Sequence, residues 1–148
     1  MKPPSRLLTL DSNVLIAAIK EDEPYSEKCV QILSRVPDDF VLAEPSIIYQ
    51  EVCGTLARKV GIEIAEQARK QLDKIIHPKL IINCTKAFCT LAYPLCAKYD
   101  IYAIDAIYLK VAIDNHAILA SLDKEDFIEK LKNKKLPIEA YHVSDFPY

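Results

Sequence analysis

The chain of 148 residues reads as a single-domain three-layer α/β/α sandwich with a mainly parallel sheet of four or five strands, and three observations carry that reading. Short apolar runs alternate with longer amphipathic segments from one end to the other, and parallel neighbours need helical crossovers of this kind. Residues 7–10 are apolar or nearly so at every position, which suits a strand covered on both faces. A hydrophobic content of 51% is enough to bury one core, and no repeat, linker or low-complexity stretch divides 1–148 into two domains.

The first strand covers 7–10, and Asp11 stands at its carboxyl end, where open α/β sheets put their ligand sites. Helices follow over 13–19 and 24–33, the second opened by Pro24, whose fixed φ suits a first turn. Pro37-Asp38-Asp39 makes a turn before a second strand over 40–43. Glu44-Pro45-Ser46 then starts a helix to about residue 60, closed by Gly61 as a left-handed cap. Residues 62–76 make an amphipathic helix that ends at His77-Pro78. A third strand over 80–82 leads to a helix over 85–99, which Pro94 kinks or ends early. The stretch 105–114 is almost wholly apolar and so predicts a buried helix. A fourth strand over 118–121, a polar-faced helix over 123–132 and a fifth strand over 138–142 complete the alternation.

Composition narrows the chemistry. A net charge of −2 gives no overall attraction for a polyanion, so nucleic-acid binding would need a local patch or metal ions. The five cysteines, Cys29, Cys53, Cys84, Cys89 and Cys96, form no C-x-x-C pair and read as small reduced core residues. His77, His116 and His142 stand well apart, so neither residue type offers zinc-site spacing. With two glycines and no G-x-G-x-x-G or G-K-S/T loop, the dinucleotide-binding and P-loop versions of the architecture are excluded. Met1-Lys2-Pro3-Pro4 leads into a strand without a signal-peptide pattern, and no run reaches the ~18 apolar residues of a membrane span. The expectation is a cytoplasmic protein.

Asp11, Asp105 and Asp123 each stand where an acid could equally cap a helix. Asp11-Ser12 opens the helix over 13–19, and both residue types accept bonds from free backbone N–H groups. Asp105 follows Ala103-Ile104 at the mouth of the buried helix, where capping is again the commoner use of an aspartate. Asp123 follows its strand in the pattern Ser121-Leu122-Asp123, with Asp126 as an acidic partner in the same first turn. Glu51 falls on the flank of the stripe formed by Ile48, Val52 and Leu56, which locally reads as a solvated surface glutamate.

Taken together, the motifs resemble a known family. Leu10-Asp11-Ser12-Asn13-Val14-Leu15, Glu51 in the helix after the second strand, Asp105-Ala106 before an apolar helix, and Ser121-x-Asp123 with a nearby Asp126-Phe127 resemble the PIN-domain ribonucleases. Within them the chain is most similar to the small prokaryotic VapC-type toxins, over nearly its whole length. The resemblance implies a parallel sheet flanked by helices, an acid cluster at one end that binds Mg²⁺ or Mn²⁺, and cleavage of RNA. It implies a homodimer and a cognate antitoxin as partners. By motif match, Asp11, Glu51, Asp105 and Asp123 take the family's catalytic acidic positions, with Asp11, Asp105 and Asp123 as metal ligands. Ser12, Asn13, Ser121 and Asp126 take supporting positions around them. There are departures: Ser121 replaces the usual threonine, Asp126-Phe127 stands one residue further from Asp123 than is common, and Ala103-Ile104 lacks the tyrosine or glycine often found before Asp105.

Chemistry makes sense of these residue types. Carboxylates brought together raise one another's pKa unless cations neutralise them, and hard divalent ions prefer oxygen ligands. Lys124, next to Asp123, is the lysine placed to meet a phosphate, whereas Lys132, Lys134 and Lys135 read as a solvated helix end. Two other classes compete. A haloacid-dehalogenase-like phosphatase needs a second aspartate two residues after the first, where this chain has Asn13. A binding module could keep the scaffold without the reaction, since fold does not imply activity; the presence of all four acids favours the enzyme.

Overall fold

A computed structural model of the chain describes residues 4–148. Met1-Lys2-Pro3, part of the stretch that lacks a signal-peptide pattern, lie outside the described residues. The chain runs β1 (Arg6–Leu10), α1 (Ser12–Ile19), α2 (Ser26–Leu33), β2 (Phe40–Leu42), β3 (Glu44–Pro45), α3 (Ile48–Lys59), α4 (Ile62–Ile75) and β4 (Ile81–Ile82). It continues through α5 (Lys86–Ala92), α6 (Pro94–Tyr99), α7 (Ala103–Asn115), β5 (Ile118–Ser121), a π-helical turn (Lys124–Ile128), α8 (Glu129–Lys132) and β6 (Ala140–His142). Helices flank a four-stranded sheet of order β2-β1-β5-β6 in which every pair is parallel. The fold class is the one the sequence predicts.

β1 sits in the middle of that sheet, with Leu8 aligned to Leu42 on one side and to Ile118 on the other. Leu8, Thr9 and Leu10 are fully buried, as expected of a central strand covered on both faces. α7, apolar nearly all round, packs on β1 and buries Ala106, Tyr108, Leu109, Val111 and Ala112. Each large side chain withdrawn in this way contributes roughly 1.5–3 kcal/mol. Together these elements place the carboxyl ends of β1 and β5 side by side, with the first turn of α7 nearby.

β2 leaves the sheet early, and its departure opens a gap beside the end of β1. Ala43 N–H still donates to the Leu8 carbonyl at 3.0 Å. The chain then swings out, so that Glu44 and Pro45 pair instead with Ile81 and Ile82 of β4 in a separate two-stranded parallel sheet. Side chains complete the abandoned ladder: Thr9 Oγ1 donates to the Ala43 carbonyl at 2.8 Å, and Leu10 N–H donates to the Glu44 carboxylate at 2.9 and 3.2 Å.

Several predicted boundaries move. Glu44-Pro45-Ser46 is not a helix start, because Glu44 and Pro45 form β3 and α3 begins at Ile48. Pro24 lies outside α2, which begins at Ser26 after Tyr25 turns to φ 65°. Gly61 has φ 124° and ψ 161°, so it is extended in a region open to glycine and precedes α4 rather than closing α3 as a left-handed cap. Pro94 ends one helix and opens the next, as its missing N–H allows. α7 starts two residues early, at Ala103. The segment 123–132 is a π-helical turn followed by one short α-helix. Among the cysteines Cys29 is buried, with its thiol pushed up to about 11 by burial, whereas Cys89 is exposed and is no core residue. Among the described residues no helix is long and apolar enough to cross a membrane.

Candidate active site

Asp11 leaves the end of β1 and Asp123 the end of β5, so adjacent parallel strands deliver both to one edge of the sheet. Asp11 does not cap α1: its side chain makes no cap bond. Instead its Oδ2 accepts from Ser121 Oγ at 2.7 Å and from Asn13 Nδ2 at 3.3 Å. The Ser121 hydroxyl also accepts from Asp123 N–H at 3.0 Å and from Asn13 Nδ2 at 3.3 Å, so its one donor and both its lone pairs are used. Asn13 Oδ1 accepts from Leu122 N–H at 3.1 Å, which fixes the direction of the amide. Ser12 contributes through its backbone, whose bond to the Asp11 carboxylate favours the charged form.

Asp105 lies within the first turn of α7, half-buried, and Tyr102 occupies the cap position without a side-chain cap bond. Asp123 does cap: its Oδ1 accepts from Asp126 N–H at 3.1 Å at the head of the π-helical turn. The Asp126 side chain is exposed. Glu51 is not a solvated surface residue; it is half-buried, and its Oε1 accepts from the hydroxyl of the fully buried Tyr108 at 2.8 Å. Lys124 is exposed beside Asp123, and Lys130 is tied to Asp100 in an ion pair.

The charges of these acids act on one another. Burial is the largest influence on Asp11 and pushes its pKa from 3.8 to about 6, with Glu51 and Asp123 adding to the rise and the Ser121 bond opposing it. Asp105 is pushed from 3.8 to about 7, first by burial and then by Asp11, Asp123, Glu51 and Asp126. Interactions of this kind fall off with distance, so the four predicted acids share one neighbourhood at this edge of the sheet.

Two residues of this neighbourhood escape a reading of the sequence. Tyr108 reads only as part of an apolar helix, yet its hydroxyl positions Glu51, and burial together with the charges of Glu44 and Glu51 raises its pKa. Glu44 reads as a helix start, yet it is fully buried against Leu10 N–H, with burial and the charge of Asp11 raising its pKa well above the usual carboxylate range. A signal for Glu44 is present: it follows an apolar strand just as Asp11 and Asp123 do.

The donor chemistry suits a hard divalent cation, since oxygen carboxylates predominate at this edge of the sheet. Among the described residues, no three His, Cys, Asp or Glu side chains are gathered tightly enough to hold an ion as they stand.

The model of the PIN domain matches residues 8–133, and the chain belongs to the PIN domain family. No curated protein is similar enough in sequence to match it. Solved structures are similar to it in fold. The VapC20 toxin of Mycobacterium tuberculosis, described as sarcin-ricin loop cleaving, is 14% identical with a TM-score of 0.66, over 80% of this chain and 91% of that one. VapBC2 of Rickettsia felis, bound to a DNA fragment from its promoter, is 17% identical with a TM-score of 0.62, over 92% and 98%. A toxin-antitoxin complex from Klebsiella pneumoniae is 22% identical with a TM-score of 0.62, over 84% and 91%.

Proposed function

We propose that this protein is a divalent-metal-dependent endoribonuclease that hydrolyses RNA phosphodiester bonds as the toxin of a toxin-antitoxin pair. The observation that carries the reading is that adjacent parallel strands of a PIN domain bring Asp11 and Asp123, bridged by the Ser121 hydroxyl, to one edge of the sheet, where Glu51 and Asp105 lie in the same electrostatic neighbourhood. Asp11 and Asp105 would hold Mg²⁺ or Mn²⁺ directly, with Asp123 in direct or water-mediated support. A bound ion supplies positive charge to the phosphodiester and Lewis acidity for attack by water. Glu51, held by Tyr108, orients the attacking water; Ser121, Asn13 and the Ser12 N–H keep the Asp11 carboxylate in place. Lys124, exposed beside Asp123, would contact a phosphate held there.

An antitoxin protein is the proposed partner, supported by the toxin-antitoxin complexes among the similar structures. An open, largely apolar groove of about 1280 Å³ between α1, α2, the end of α3 and α4 is lined by Leu15, Ile19, Val30, Val60 and Ile75 and offers it a surface. A homodimer and a cytoplasmic location complete the proposal; sizing by light scattering tests the first. The test of function is cleavage of mixed RNA with Mn²⁺ and with EDTA. Cleavage that requires Mn²⁺, with a melting temperature raised by the ion through mass action, is the expected result. Coincident melts and no cleavage in either condition would favour a PIN scaffold that binds without reacting.

A further inference from the structure

Glu44 lies outside the four-acid motif and has an unusual situation. It is fully buried, next to a proline that donates no bond, and among the described residues no cation pairs with it. Both its oxygens lie on a single donor, Leu10 N–H, at 2.9 and 3.2 Å. A buried carboxylate is costly, and an apolar residue of similar volume would spare that cost. Packing alone therefore does not explain it.

What Glu44 holds is the last residue before Asp11. Where β2 swings away after Ala43, Leu10 N–H loses the backbone carbonyl that a continued parallel ladder would offer, and the Glu44 carboxylate replaces it. On the far side Asp11 N–H donates to the Ala120 carbonyl of β5 at 3.0 Å. Consecutive peptides are thus clamped from β3 and from β5, and Asp11 projects between the clamps. Metal sites and catalytic constellations tolerate displacements of only about 0.5 Å.

We propose that Glu44 is a positioning residue, and that by accepting the Leu10 N–H it sets the place of Asp11 and hence the affinity of the acid cluster for a divalent cation. This rests on the proposed metal dependence of the acid cluster. The hydrogen bond, rather than the charge, is what the geometry assigns to it.

The experiment is a Mn²⁺ titration of the full chain, followed by calorimetry and by the rise in melting temperature, on wild type, Glu44→Gln, Glu44→Leu and Glu44→Asp. Glutamine keeps an acceptor at the same reach and should bind Mn²⁺ within about twofold of wild type, whereas leucine, which has none, should bind about tenfold more weakly or worse. Aspartate keeps the charge but is one carbon too short, and should behave like leucine; it also serves if the leucine variant does not fold. A purely structural role lowers the metal-free melting temperature of these variants and leaves Mn²⁺ affinity unmoved, which would overturn the proposal. So would glutamine binding as weakly as leucine. A wild-type protein that does not respond to Mn²⁺ removes the metal reading itself, and this proposal with it.

Discussion

Asp11 and Glu44 leave neighbouring parallel strands by the same kind of exit, an apolar run ending in a carboxylate, and finish with opposite partners. Asp11 turns to side chains, Ser121 and Asn13, within reach of the charges of Glu51 and Asp123. Glu44 turns to the backbone and spends both oxygens on one peptide N–H. The difference comes from the strands rather than from the acids. β1 stays paired with β5 to its last residue, so Asp11 emerges at the edge; β2 parts from β1 at Ala43, so Glu44 is drawn into the gap. An acid after a buried strand is thus a place, and its partners decide whether it meets a ligand or mends a sheet.

The sharpest way to break that comparison is Asp11→Asn. If Asp11 acts through its charge, RNA cleavage should fall by about a hundredfold or more, a loss typical of removing a main electrostatic contact. The metal-free protein should at the same time become more stable near pH 8, by about 1–3 kcal/mol, since a buried carboxylate with raised pKa is replaced by a neutral amide. Cleavage at wild-type rate with Mg²⁺ would end the distinction between the two acids.

A pH series on metal-free protein sharpens it next. Asp11 and Asp105 have folded pKa values raised from 3.8 to about 6 and about 7, so the folded state holds protons that the unfolded state has released. Their contribution to stability is fully present below pH 3.8 and is lost as pH climbs through about 6 and then about 7. The total is on the order of several kcal/mol, with the share of Asp105 discounted for its partial exposure. Melting in EDTA should therefore fall from pH 5 to pH 8, while the increment given by Mn²⁺ grows over the same range because binding needs the carboxylates ionised. A flat EDTA series would mean that neither burial nor neighbouring charge raises these two carboxyls.

Tyr108 feels the charges of both Glu44 and Glu51 but bonds only the second. Tyr108→Phe should cost about 1 kcal/mol in stability and about fivefold in cleavage, with Mn²⁺ affinity little changed. A loss of Mn²⁺ affinity instead would assign Tyr108 to the Glu44 side of the comparison. The smallest effect belongs to Lys124→Ala. RNA affinity should weaken severalfold for every sequence tested, and its salt dependence should flatten by about one ion. An unchanged slope would leave the acid cluster without a basic neighbour.

The strands and helix that build the site are legible in the sequence where an apolar run meets a clear break. β1, β5 and α7 each bury a largely apolar stretch, and the acids stand at or near its boundary. β3 is not legible. Two residues carry no periodicity, and Glu-Pro-Ser imitates the start of a helix; only the pairing with β4, some 37 residues later in the chain, shows otherwise. Glu51 is misplaced for a similar reason, since the hydroxyl that draws it inward belongs to Tyr108, 57 residues away. Local pattern reports which face of a helix is apolar and is silent about a polar partner arriving from another element.

The pairing of β1 with β5 also sets when the site can exist. Asp11 and Ser121 are separated by 110 residues, and Asp123 lies beyond both, so a chain emerging from a ribosome holds Asp11 and Glu51 long before it holds a complete cluster. Contacts this distant along the chain close late, after the loop entropy between them has been overcome. If the chain cuts RNA as proposed, that activity waits until most of its own sequence has been translated.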